Sequence, residues 1–143
     1  MLTRRAFTIL ELSAVLAVIA ILAALSVPVY DVMVRRARAN EAQAVTYAIA
    51  HAELRHFRDH GAFLACDPGG QVPAGAGRFP SEAACWRTLG VQLAGPSYFR
   101  YAVRLDDASF AVTAEGDLDS DGRTSRYRLE GCDLTLTAED ELE

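Results

Sequence analysis

At 143 residues the chain has room for one compact domain plus an anchor, and two full domains are excluded. Its formal charge of −5 rests on an acidic body, which argues against general nucleic-acid binding. All 14 basic residues are arginines, and Arg4, Arg5, Arg35, Arg36 and Arg38 bracket an apolar run.

That run is the first element. Leu12 to Tyr30 carries no charge, and roughly 20 such residues span about 30 Å of hydrocarbon as a helix. Arg4 and Arg5 hold the N-terminus in the cytoplasm by the positive-inside rule, which sends the remainder outward. A secretory signal peptide fits poorly, because the run is longer than an ordinary apolar core and continues through Pro28 without a clear cleavage site. A plain anchor has no use for Glu11, since a carboxylate entering lipid unpaired costs several kcal/mol. Pro28 removes one internal hydrogen bond and is expected to kink the helix.

From Asp31 to His60 the helix continues. Val45, Ile49, Ala52 and His56 make one stripe, and Ala50, Leu54 and Phe57 a second beside it. Together they form a broad apolar face suited to packing on a sheet. Gly61 is the helix stop. Arg35, Arg36 and Arg38 follow the apolar run, where they meet phospholipid headgroups or acids such as Asp31 and Glu41. His56 and His60 lie one turn apart, but no carboxylate or cysteine completes a familiar metal spacing. With His51 they read as solvated helix histidines.

After Gly61 the stretch CDPGGQVPAGAGRFP reads as a surface loop. SEAACWRTLG then forms a short helix with Ser81 as N-cap and Gly90 as stop, anchored by Trp86 and Leu89. From Tyr98 the period becomes two. Phe99, Tyr101, Val103 and Leu105 face inward with Arg100 and Arg104 outward, and Asp106-Asp107 turns the chain into SFAVTAEG, where Phe110 and Val112 face the core. SRYRLE, with Tyr127 and Leu129, and LTLT, with Leu134 and Leu136, complete three antiparallel strands and one short edge strand. The fold class is α+β, with a long N-terminal helix packed on a small antiparallel sheet.

The turn EGDLDSDGRTS brings Asp117, Asp119, Asp121 and Gly122 together in the order that opens an EF-hand loop. Ser125 and Arg128 occupy the later ligand positions, so a full EF-hand is excluded. A shorter calcium site at Asp117, Asp119 and Asp121 stays open, as does neutralisation of these acids by Arg123 and Arg126. Of the three cysteines, Cys66 and Cys85 flank the loop and short helix, where a bridge is worth about 3 kcal/mol in the chain-entropy account. Cys132 is then left over, although spacing does not fix connectivity, and Cys66–Cys132 and Cys85–Cys132 stay open. No catalytic triad, phosphate loop or acid pair emerges, so no enzyme is expected.

RRAFTILEL, followed by an apolar run with a proline near its end, resembles the type IV prepilin signal shared by pilins and the pseudopilins of type II secretion. The likeness covers about thirty residues, in which leader, cut site, acid and proline agree in spacing. It implies a leader over residues 1–6, a transmembrane and assembly part over 7–30, and a periplasmic or extracellular head over 31–143. A prepilin peptidase would cut between Ala6 and Phe7, and Phe7 would become an N-methylated terminus. Ala6 stands where the family carries glycine, and Ile9-Leu10 inverts the commoner order. Glu11 falls at the family's buried glutamate, which pairs with the Phe7 ammonium of a neighbouring subunit. Such a pair sets register more than it adds stability. Pro28 falls at the family's helix-kinking proline.

The resemblance implies a pilin-like structural subunit, anchored once in the inner membrane with the head in the periplasm. An inner-membrane platform then assembles it into a surface pilus, as a homo- or hetero-polymer with other pilins. Adhesion, twitching motility and DNA uptake are the associated roles, and uptake is the one route to nucleic acid. A type II secretion pseudopilin is the near alternative, and major pseudopilins of that kind bind calcium in a C-terminal loop. A signal-anchored periplasmic protein that does not polymerise is the alternative of a different class.

Overall fold

Apolar residues recur around every side of the first segment and then at helical spacing, and the backbone follows both patterns in one helix. A computed structural model of the chain describes residues 8–67, 69–70, 72–73, 75–118 and 120–139, with Val27 and Pro28 described by their backbone alone. Helix α1 runs Ile9–His60. The chain divides into two compact units, one ending at Val34 and the other beginning at Arg35.

In the first unit all described side chains from Thr8 to Met33 are exposed, most of them large and apolar. A helix that is apolar on all sides is suited to lipid or to burial among partners. The segment is long and apolar enough to cross a membrane. Its hydroxyls are satisfied locally: Ser13 donates to the Ile9 carbonyl at 2.9 Å and Ser26 to the Leu22 carbonyl at 2.8 Å. Such back-bonding removes the penalty of carrying a hydroxyl into hydrocarbon.

In the second unit α1 presents Ala39, Ala42, Thr46, Ile49, Ala50 and Glu53 to the core. The spacing is that of one helical face. Ile49 and Ala52 are buried as their stripe predicts, but Leu54 and Phe57 are substantially exposed, so the buried face is narrower than the apolar one. Small residues lead that face, and Thr46 and Glu53 complete it. Gly61 ends the helix in the left-handed region, its N–H donating to the Phe57 carbonyl at 2.7 Å.

Strand β1 (Gly77–Arg78), helix α2 (Ala84–Leu89) and strand β2 (Pro96–Ser97) follow, β1 lying inside the segment expected to be loop and pairing antiparallel with β2. Phe79 of that segment is buried against Trp86, ring centroids 5.3 Å apart. α2 is shorter than expected, because Pro80 accepts from Ala83 N–H in a preceding turn. Ala83, not Ser81, is therefore the N-cap, and it makes no side-chain cap. Gly90 caps the C-terminus at φ 71°, as its position in the sequence predicts.

Strands β3 (Arg100–Asp106), β4 (Ser109–Gly116), β5 (Ser125–Glu130) and β6 (Thr135–Glu139) form one antiparallel sheet in the order β3-β4-β5-β6. Register places Val103, Val112, Leu129 and Leu136 in one row and Tyr101, Ala114, Tyr127 and Ala138 in the next. The alternation of tyrosine with alanine lets large side chains interdigitate on the core side. Leu105 stands on the core side opposite Phe110 but is 48 % exposed at the hairpin end, beyond the cover of the buried residues. Leu134 lies in the turn before β6, at φ 57°. The finding is an α+β fold with a long apolar N-terminal helix.

Candidate functional site

The first described turn of α1 carries the acid that the sequence singles out. Thr8 precedes the helix, and its Oγ1 accepts the backbone N–H of Glu11 at 3.2 Å. Thr8-Ile9-Leu10-Glu11 has the spacing of a capping box, in which a hydroxyl and a glutamate serve the unpaired donors of a helix start. Glu11 is exposed and sits where the helix dipole favours negative charge. The T-x-x-E spacing is the sequence signal for a helix start at this point. Ala6 and Phe7 lie outside the described residues, and Pro28 lies within α1.

Three polar residues of α1 fasten the loops beside the sheet. Arg38 donates through Nη1 to the Leu118 carbonyl at 2.5 Å and stacks its guanidinium 4.3 Å from the centre of the Tyr98 ring. It is thus engaged within its own unit. Glu41 Oε1 accepts from the Ser97 hydroxyl at 2.7 Å and from Tyr98 N–H at 3.3 Å. Arg55 donates to the Leu89 carbonyl at 3.0 Å, at the end of α2. Periodicity alone passes over these residues because each is polar at the edge of an apolar stripe.

Glu53, a fourth polar residue of α1, is fully buried. Its Oε2 accepts Leu64 N–H at 3.0 Å, while Oε1 has no partner among the described residues. Burial raises its carboxyl above the usual 4.5, against weaker opposing pulls from the Leu64 N–H and from His56.

The acidic loop joins β4 to β5. Asp117 is nearly buried, and its two oxygens accept Ser120 N–H at 2.7 Å and Gly122 N–H at 3.0 Å. Its own N–H donates to the Pro73 carbonyl at 3.2 Å, and the Leu118 side chain is buried beside it. Asp121 accepts Arg123 N–H at 2.7 Å. Asp119 lies outside the described residues. Both Asp117 oxygens therefore organise the loop backbone, and no group of three metal-ligating side chains converges among the described residues. Calcium requires six to eight oxygens, so on this geometry it would have to draw on the Asp117 oxygens and on loop carbonyls together.

Cys66 and Cys85 form a disulfide with Cα atoms 5.5 Å apart, and Cys132 is a free, exposed thiol. Cys66 also pairs with Val103 through two backbone hydrogen bonds, at 3.0 and 2.6 Å. The bridge thus ties α2 to the open edge of β3 and covers part of that edge. On the sheet face away from the core, Arg100, Glu115, Arg126 and Glu139 stand in one register row across all four strands. Arg100–Glu115 closes to 2.7 Å, Glu115–Arg126 to 2.9 Å and Arg126–Glu139 to 3.7 Å. Arg126 is therefore committed to Glu115 and Glu139, which leaves Arg123 as the arginine that closes on an acid of the loop, at 4.0 Å from Asp121.

No family model matches the chain, and no curated protein or solved structure matches it.

Proposed function

We propose that the chain is a prepilin-like structural subunit, cut between Ala6 and Phe7, N-methylated at Phe7, and polymerised through its N-terminal helix into a type IV pilus. The observation that carries this reading is the make-up of α1. It opens with a cap and one carboxylate, Glu11, runs through an apolar segment whose described side chains are all exposed, and continues into residues that bury the core stripe of the head. An apolar helix with no partner among the described residues needs lipid before assembly and other helices after it. Cleavage would create a terminal ammonium at Phe7, a cation for Glu11 of a neighbouring subunit. In this reading the subunit spans the inner membrane once and its head lies in the periplasm until assembly exports it. A disulfide in the head suits an oxidising compartment.

The acidic loop favours a second reading, a pseudopilin of a type II secretion system, in which the same helix assembles a short periplasmic fibre. The Thr8 cap favours a third, a signal-anchored protein that does not polymerise, because it holds the helix start without a neighbour. Mass spectrometry of the N-terminus, on protein recovered from sheared surface fibres, separates the three. N-methyl-Phe7 in surface fibres supports the pilin, and the same terminus only in the periplasm supports the pseudopilin. A chain still beginning at Met1 in the membrane fraction refutes both.

A further inference from the structure

His56 and His60 occupy the last turns of α1, and their rings stack with centroids 4.3 Å apart and planes inclined by 18°. His56 Nδ1 lies 2.9 Å from the Ala62 carbonyl oxygen, and His60 Nδ1 lies 3.2 Å from the His56 carbonyl oxygen. A carbonyl only accepts, so in each ring Nδ1 carries the proton. In the neutral ring Nε2 then holds a free lone pair. A histidine whose Nδ1–H is held by a backbone carbonyl is the arrangement that fixes tautomer and raises basicity in metal-ligating imidazoles. Here it occurs twice on one helix face. The surroundings also favour a cation. The last turn of a helix carries partial negative charge on its unpaired carbonyls.

We propose that His56 and His60 form a two-nitrogen site for a divalent transition ion of the copper, nickel and zinc class. Imidazole suits these ions, and the order of affinity for a nitrogen site puts copper first. Calcium and magnesium take oxygen ligands and are not candidates. No third His, Cys, Asp or Glu side chain joins the pair among the described residues, so water or an outside donor fills the remaining positions. Closing on one ion requires the stacked rings to splay by rotation about χ2, a broad torsion with a low barrier to small changes. The site does not depend on the acidic loop or on the pilin reading.

The test is a copper(II) titration of the metal-free full chain in detergent micelles, followed by calorimetry and by electron paramagnetic resonance. The expected result is saturable binding of one ion per chain with two nitrogens in the coordination plane. His60→Ala should weaken binding by at least about tenfold, since even outer partners of a metal-bound histidine are worth that much. His51→Ala, an exposed histidine on the same helix, should bind like the parent. His60 is exposed, so its replacement leaves the thermal unfolding of the head unchanged, which circular dichroism checks. Undiminished binding by His60→Ala, a signal that follows His51, or coordination by a single nitrogen would overturn the proposal.

Discussion

Replacing Glu53 tests how a buried acid is tolerated on the core stripe of α1. The residue is 0 % exposed, and its one hydrogen bond is from Leu64 N–H at 3.0 Å. Burial holds its carboxyl above 4.5, the value it has in the unfolded chain. Below 4.5 both states are protonated. As pH rises past that point the unfolded chain releases the proton while the folded chain keeps it, so the folded state binds more protons and stability falls with rising pH. Once the raised folded value is passed, the loss is complete and constant. Glu53→Gln removes this titration but keeps an oxygen for Leu64 N–H, so it should flatten that part of the curve and match or exceed the parent at pH about 8. Glu53→Ala removes the acceptor too. It leaves a buried N–H unpaired, at about 1–3 kcal/mol, and loses about 0.8 kcal/mol for each buried methylene. In a domain of about 100 residues each kcal/mol lowers the melting point by about 4–8 °C. The assay is thermal unfolding of the full chain in detergent across the acid-to-neutral range, read as the difference between parent and Glu53→Gln. A difference that grows in the parent's favour with rising pH would refute the reasoning, as would Glu53→Ala melting with Glu53→Gln.

Two further predictions concern the head. Thiol alkylation of the unreduced, unfolded chain should label Cys132 alone, and the double change Cys66→Ser with Cys85→Ser should cost about 3 kcal/mol of stability for its 19-residue separation. If the Asp117 to Asp121 loop holds calcium, a hundredfold excess over the dissociation constant should stabilise the head by about 2.7 kcal/mol, reversibly on chelation. An unchanged melting point in excess calcium removes that reading.

The parts of the fold legible in the sequence are those where one period dominates. Alternation from Phe99 to Val103 and from Phe110 to Val112 places the core side of β3 and β4 correctly, and Gly61 and Gly90 end their helices as expected. Legibility fails at edges. Leu105 continues the alternation but outruns its cover, and Phe57 continues the helical stripe past the end of the buried face. It fails again where a polar residue does structural work. Glu41, Glu53 and Arg38 each satisfy a partner far along the chain, and no local pattern announces a partner 11 to 80 residues away. The β1–β2 pair is two residues long on each side, too short for alternation to register. Of the candidate site, the apolar segment and Glu11 are plain in the sequence, whereas the hold on Asp117 by its own loop is visible only in the backbone.

Glu11 has two uses that a pair of substitutions can separate. Its backbone N–H is held by the Thr8 hydroxyl within its own chain, a bond that glutamine at this position keeps. As a partner for a neighbour's terminal ammonium it acts through its charge, which glutamine lacks. Glu11→Gln should therefore leave the helix start intact and reduce assembly, while Thr8→Val should do the reverse. Loss of the Thr8 cap is worth about 1 kcal/mol at the helix end, against the first turn only, because α1 is held by the rest of its length. The measurement is filament yield beside membrane-inserted subunit for each variant. Assembly that survives Glu11→Gln and fails with Thr8→Val would make the Thr8 cap, and not the charge of the acid, what assembly needs, and would remove the intersubunit pair. Assembly that fails with Glu11→Gln while the inserted subunit accumulates would require a charge partner outside the chain, since no cation is paired with Glu11 among the described residues.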